Sequence, residues 1–171
     1  MVRLKPARVY RTPKRPYVRV SRLREKSYIT GVPPLKLRVF EMGNKQGEFE
    51  KKVSLVSNAE MQIRENALEA ARVTANKFLE KNAGIENYFM RINVYPHQVL
   101  REHSFATVAG ADRFQRGMSL AFGKPCGRAA RVRKDQELII VKTSEKYVEI
   151  AKEALKRAAA KLPGNCKVVI S

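Results

Sequence analysis

The chain has 171 residues, of which 44% are hydrophobic, so it can form one domain with a buried core, and disorder throughout is excluded. It carries 35 Lys and Arg against 16 Asp and Glu, a formal net charge of +19. Because self-repulsion at this charge disfavours an isolated compact state, we expect a polyanionic partner, and nucleic acid is the leading class.

The excess positive charge is concentrated in two segments. Residues 1–26 contain ten basic residues and one acid, and residues 101–134 contain eight basic residues and two acids. Together they carry +15 of the +19, and the rest of the chain is as nearly balanced as an ordinary small protein. A uniformly basic, solvated surface would not show this segregation, so both segments are candidate nucleic-acid contacts.

Residues 1–34 show no amphipathic period and interleave basic residues with prolines and tyrosines. Proline discourages regular structure, arginine pairs with phosphate through two hydrogen bonds, and tyrosine stacks on bases. The composition favours an extended arm that lies on RNA over a solvated, disordered tail. The candidate RNA contacts in the arm are Arg3, Lys5, Arg8, Tyr10, Arg11, Lys14, Arg15, Tyr17, Arg19, Arg22, Arg24 and Lys26.

Two strands and a helix are predicted after the arm. Residues 36–41 alternate apolar and polar side chains, and residues 52–56 form a second strand that we expect to pair antiparallel with the first. Residues 57–60 have the Ser-x-x-Glu form of a capping box, which predicts a helix that starts there and stops at Gly84. Its apolar stripe is Ile63, Ala67, Ala70, Ala71, Thr74 and Phe78.

The second half of the chain predicts further strands and one more helix. Residues 88–95 alternate with Tyr88 inward and Arg91 outward, and residues 98–103 continue in extended form. Residues 128–133 and Glu137–Thr143 are expected to form a hairpin around residues 134–136, with the apolar residues 138–141 in a central strand. A helix over residues 145–162, ended by Pro163-Gly164, precedes a last strand at Cys166–Ile170.

These elements predict one α+β domain in which two helices pack on one face of a mixed, mostly antiparallel sheet. The arm is residues 1–34, the body is residues 35–100 and 128–171, and an internal loop spans residues 101–127. We expect residues 101–118 to protrude, with a short helical turn at 111–117, and residues 120–127 to form the return path. The candidate RNA contacts in and after the loop are Arg101, Arg113, Arg116, Lys124, Arg128, Arg131 and Arg133.

No constellation in the sequence predicts catalysis, a cofactor or a metal site. Cys126 and Cys166 are forty residues apart and fit neither a disulfide framework nor zinc spacing. The stretch from Gly117 to Lys124 differs from a phosphate-binding loop, because five residues separate its glycines and proline follows the lysine. With no apolar run long enough for a membrane span and no signal peptide, we expect a cytoplasmic protein.

A module that binds duplex DNA is the main alternative to one that binds folded RNA. Duplex DNA recognition calls for a basic recognition helix, whereas both predicted helices have balanced charge and the excess bases lie in irregular segments. Irregular basic segments suit folded RNA, which is bound by shape and through its backbone.

Several ordered stretches resemble one family of large-subunit ribosomal proteins. Residues 6–11 (PARVYR), 39–44 (VFEMGN) and 109–118 (AGADRFQRGM) carry the resemblance, and residues 123–125 and 129–132 continue it in order. The family is the archaeal and eukaryotic ribosomal protein L-ten-e, the counterpart of bacterial L-sixteen. The resemblance covers essentially the whole chain, and the short C terminus is similar to the archaeal form.

The resemblance implies an α/β-hammerhead fold that binds large-subunit rRNA near the peptidyl-transferase centre and the path of tRNA. It implies that residues 101–118 point toward the tRNA sites, with Arg101, Arg113 and Arg116 nearest to tRNA or catalytic rRNA. Because the catalysis belongs to RNA, the protein would be a positioner rather than an enzyme. Its implied partners are rRNA, tRNA and neighbouring ribosomal proteins, with no membrane.

Overall fold

The computed structural model describes residues 6–13, 22–27, 29, 31–102 and 123–171, and within them the predicted α+β class is confirmed. The strands in these ranges are β1 Glu41–Gly43, β2 Lys51–Ser57, β3 Met61–Arg64, β4 Tyr88–Ile92, β5 Gln98–Glu102, β6 Lys124–Val132, β7 Glu137–Thr143 and β8 Cys166–Ile170. The helices are α1 Arg8–Arg11, α2 Glu65–Ala83 and α3 Val148–Ala159.

The larger of two antiparallel sheets has the strand order β1-β4-β7-β2-β8. β7 lies at its centre, as its apolar run predicts, and Leu138, Ile139 and Val141 are fully buried. Val141 pairs with Val53 of β2 on one side and with Met90 of β4 on the other. Each such side chain contributes about 1.5–3 kcal/mol by leaving water, so this strand anchors the core.

Both long helices pack on the inner face of this sheet. α3 buries Ala151, Ala154, Leu155 and Ala158, and α2 packs beside it. The alanines let the helices approach the strands and each other closely. The described residues place no helix on the opposite, outer face of the sheet.

The smaller sheet has the order β3-β6-β5 and carries both basic segments. β6 pairs with β3, where Ile63 lies opposite Ala130, and with β5, where Leu100 lies opposite Gly127. The α1 turn packs beside β3. β5 ends at Glu102, before residues 103–122, and β6 begins at Lys124, after them.

The helix start predicted from the capping box is wrong. Ser57 ends β2, and its hydroxyl donates to the Ala59 carbonyl at 2.6 Å instead of capping a helix. Residues 61–64 are drawn into the smaller sheet as β3, so α2 begins only at Glu65. Tertiary strand pairing therefore overrides the local helix signal. The buried stripe of α2 is accordingly Leu68, Ala71, Ala75, Leu79 and Ala83.

The predicted hairpin between residues 128–133 and Glu137–Thr143 is also wrong. β6 and β7 belong to different sheets, so residues 133–136 connect the sheets instead of closing a hairpin. Asp135 adopts a left-handed backbone with φ +58°, and its N–H donates to the Ser57 carbonyl at 2.8 Å. This backbone bond to the end of β2 directs the chain into the larger sheet.

The first strand lies later than predicted and has another partner. Residues 36–40 are irregular, with Leu37 fully buried and Val39 44% exposed, and β1 starts at Glu41. β1 pairs with β4, while β2 pairs with β7 and β8. The backbone N–H of Lys36 donates to Oε2 of the buried Glu65 carboxylate at 3.0 Å, so this N–H does not take part in a strand ladder.

Other local predictions are confirmed. β4 alternates with Tyr88, Met90 and Ile92 buried, and α2 ends at Gly84 with φ +81°. The last helix begins where predicted, with a 3-10 turn at Glu145–Tyr147 followed by α3, but α3 ends at Ala159 and not at the predicted residue 162. β8 has its predicted bounds. On the surface of α3, ion pairs form between Glu149 and Lys152 and between Glu153 and Arg157.

Among the glycines that the structure describes, Gly43 should be the least tolerant of a side chain. It has φ +82°, and an added Cβ would lie 2.2 Å from the Tyr88 carbonyl oxygen. We expect Gly43→Ala to lower the free energy of unfolding by about 1–3 kcal/mol from backbone strain alone, with the overlap adding to this. Gly31→Ala is the control, because its Cβ would meet no atom within 4 Å. Equal urea midpoints for the two variants would contradict this assignment.

Candidate nucleic-acid interface

The N-terminal basic segment is held against the smaller sheet by α1. Gln62 Nε2 donates to the Tyr10 carbonyl at 2.9 Å, and the Arg64 guanidinium lies 5.7 Å from the centre of the Tyr10 ring. The Tyr10 hydroxyl donates to Glu102 Oε2 at 3.5 Å. β3 and β5 thus both contact the same turn of the arm.

One helical turn interrupts the arm that was expected to be extended. The Val9 N–H donates to the Pro6 carbonyl at 3.2 Å and starts the turn. Thr12 is extended, as expected of a residue before proline, and ends the turn. The side chains of Arg8 and Arg11 remain exposed.

Tyr10 is the contact between the arm and the base of the internal loop. Burial raises the pKa of its phenol, and the nearby Cys126 and Glu102 raise it further. The phenol is therefore protonated at neutral pH and remains a hydrogen-bond donor. Glu102 is the last residue of β5, and Cys126 is the third residue of β6.

β5 and β6 remain paired up to the residues next to the internal loop. Glu102 lies directly opposite Lys124, so β5 and β6 bring residues 102 and 124 side by side. The predicted return path is consequently wrong from Lys124 onward, where the chain is already part of β6. β6 begins to pair with β5 at Lys124, which is earlier in the chain than the glycine-containing sequence suggests. The pairing register shifts at an irregularity between Leu100 and Arg101. The predicted helical turn at 111–117 lies outside the described residues.

Arg128 supports the fold instead of projecting freely. Its Nε donates to the Pro33 carbonyl at 2.6 Å, and its Nη1 donates to the Tyr95 hydroxyl at 3.3 Å. It joins β6 to the segment before β1. The sequence could not reveal this role, because its partners are more than thirty residues away in the chain.

The remaining predicted contacts fall into two groups. In the described part of the chain, Arg22, Arg24, Lys26, Lys124 and Arg133 are exposed, and Arg101 and Arg131 are half-buried. The candidates outside the described residues are Arg3, Lys5, Lys14, Arg15, Tyr17, Arg19, Arg113 and Arg116. Gln62, Arg64 and Glu102, which hold the arm, carried no signal in the sequence beyond their positions on predicted elements.

The described residues contain no group of three or more His, Cys, Asp or Glu that could hold a metal ion. Lys124, which ends the imperfect phosphate-loop sequence, begins a strand, whereas that motif needs its lysine at a helix N-terminus. Among the described residues there is also no helix long and apolar enough to cross a membrane.

Comparison with known proteins gives a consistent result. The family model described as ribosomal protein L16p/L10e matches residues 13–169. A large ribosomal subunit protein uL16 from Archaeoglobus fulgidus is 49% identical over 97% of this chain and 92% of its own length. The uL16 proteins of Staphylothermus marinus and Methanococcus aeolicus are 50% and 47% identical, over 97% and 98% of this chain and 92% and 94% of their own lengths.

The α+β body with its two basic segments therefore defines a ribosomal protein of the large subunit, a structural constituent of the ribosome and not an enzyme. The chain belongs to the ribosomal protein L16p/L10e family, as its sequence motifs indicated.

We expect Gln62→Leu to release the arm, because it removes the donor to the Tyr10 carbonyl. One hydrogen bond is worth about 0.5–1.5 kcal/mol, so tryptic cleavage after Arg8 and Arg11 should accelerate about two- to tenfold. Mass spectrometry of a digestion time course measures these rates. Gln46→Leu, on an exposed turn, is the control, and equal acceleration in both variants would contradict the docking role of Gln62.

Proposed function

We propose that this protein binds large-subunit rRNA through its arm and internal loop and helps to position tRNA near the peptidyl-transferase centre. It would do so in cytoplasmic ribosomes, beside neighbouring ribosomal proteins. The observation that carries the proposal is the contact of Tyr10 with Glu102, which joins the two segments that hold most of the excess charge.

The exposed cations suit a phosphate backbone. Arg8 and Arg11 project from α1, and Lys124 stands at the start of β6, on the same small sheet. Each phosphate that such a side chain neutralises releases counterions, which supplies affinity without reading sequence. The folded body fixes where these cations are presented, so the shape of the RNA becomes the basis of recognition.

The proposed tRNA role rests on the loop. β5 and β6 bring Glu102 and Lys124, which lie on either side of residues 103–122 in the chain, next to each other. By resemblance to the family, we propose that the loop approaches tRNA, with Arg101, Arg113 and Arg116 as the candidate contacts. The protein would orient RNA partners and leave the chemistry to rRNA.

Binding to an rRNA transcript should weaken steeply with salt. We expect a log–log slope of about −0.7 to −0.9 for each phosphate contacted, and Arg8→Gln/Arg11→Gln should reduce the slope by about 1.4–1.8. Lys81→Gln/Lys161→Gln, which removes equal charge from the exposed helix layer, is the control. Filter binding between 50 and about 300 mM salt measures both. Salt-independent binding, or preference for duplex DNA in direct competition, would overturn the proposal.

Replacing residues 104–121 by a four-residue Gly-Ser turn should leave the body folded, because Glu102 and Lys124 already lie side by side. We expect a thermal unfolding temperature within a few degrees of wild type, since the replacement leaves β5 and β6 intact. Large subunits reconstituted with this variant should bind tRNA and form peptide bonds more slowly. Wild-type tRNA binding would refute the positioning role, and loss of folding would place the loop in the core.

A further inference from the structure

The outer face of the larger sheet contains a groove that described residues of the body line. It has a volume of about 720 Å³ and is lined by side chains from β2, β4 and β7. Its main residues are Lys52, Phe89, Arg91, Glu137, Ile140 and Lys142. The helices cover the opposite face, so this surface is exposed in the described part of the protein.

The strand register places these side chains in two rows. Phe89 lies beside Lys142, which lies beside Lys52, and in the next row Arg91 lies beside Ile140. Rows on one face of a sheet are about 7 Å apart, and adjacent strands about 4.8 Å. An aromatic ring and a branched aliphatic side chain thus form a floor between three cations.

Among the described residues, the groove has more cations than acids to pair with them. Lys52 and Lys142 lie directly opposite each other in the register, an arrangement of like charges that destabilises a sheet. Glu137 compensates only Lys52, at 2.6 Å, and also accepts a hydrogen bond from Ser54 at 2.8 Å. Lys142 has no acidic partner among the described residues.

Arg91 is also only weakly compensated. Its Nε lies 3.8 Å from Glu41, and Glu41 is already paired with Lys45 at 3.0 Å. Arg91 is 58% exposed, so its guanidinium is available at the edge of the groove. The groove therefore presents an excess of positive charge around an apolar floor.

We propose that this groove, lined by Phe89, Arg91, Ile140, Lys142 and Lys52, is a second RNA-binding surface that takes a single-stranded or looped rRNA segment. A phosphate near Lys142 would relieve its repulsion with Lys52, and a base would stack on Phe89 beside Ile140. Bases stack on aromatic side chains of open sheets in this way, with cations following the backbone. The inference rests on the proposed rRNA partner but names a surface separate from the arm and the loop.

The charge test compares two double variants of the full chain. Arg91→Gln/Lys142→Gln removes two exposed cations from the groove, and Lys77→Gln/Lys146→Gln removes two from the helix layer. Affinity for an in vitro transcript of large-subunit rRNA is measured across a salt series. We expect the groove variant to bind about tenfold more weakly, with a slope reduced by about 1.4–1.8, while the control stays within about twofold of wild type.

The stacking test uses Phe89→Leu, which keeps an apolar side chain but removes the ring. We expect about a fivefold or greater loss of affinity with an unchanged salt slope, because stacking does not release counterions. A loss of affinity by the groove variant in the charge test supports the proposal, and so does a loss of affinity by Phe89→Leu with an unchanged salt slope.

A failure of the groove inference can be distinguished from a failure of the proposed function. If wild type binds the transcript and both groove variants bind as the control does, the inference alone is overturned, and an acidic protein segment becomes the better occupant. If wild type does not bind the transcript, the proposed function falls together with this inference. Thermal unfolding of every variant must match wild type, and because the four substituted cations are exposed we expect it to.

Discussion

The pairing of β6 with β3 and β5 is the constraint on which the proposed RNA interface depends. β3 supplies Gln62 and Arg64 to the arm, β5 supplies Glu102, and β6 begins where the internal loop returns. Without this small sheet the two basic segments would have no common support. The larger sheet and its helices form the buried core, and the small sheet positions the two basic segments.

Few protein contacts hold the arm on the small sheet. Among the described residues, two hydrogen bonds and one cation–π contact of Tyr10 oppose the backbone entropy that is lost when the four residues of α1 become ordered. An RNA that binds Arg8 and Arg11 would stabilise the docked arm further, and it would also offset the repulsion that a net charge of +19 imposes on the fold.

Local sequence patterns predicted elements well and their partners poorly. The alternation of Tyr88, Met90 and Ile92 and the apolar run of β7 predicted these strands correctly, because successive side chains show whether one face or both faces of a strand are buried. The Ser57 capping box and the hairpin around Asp135 failed, because both outcomes depend on which sheet residues 61–64 and 124–132 join. Charge counts located the two basic segments, but the Tyr10–Glu102 contact and the structural role of Arg128 depend on distant residues.

The central claim is that arm and loop form one composite RNA interface. Tethered hydroxyl-radical cleavage tests it most directly, with the cleavage reagent attached at Arg11→Cys or at Lys124→Cys in a chain whose Cys126 and Cys166 are replaced by serine. In assembled large subunits the account predicts that the two tethers cut overlapping rRNA nucleotides, because α1 and the base of the loop are joined through Tyr10 and Glu102. Cuts in separate, non-overlapping rRNA regions, or no cuts from one of the two positions, would contradict it.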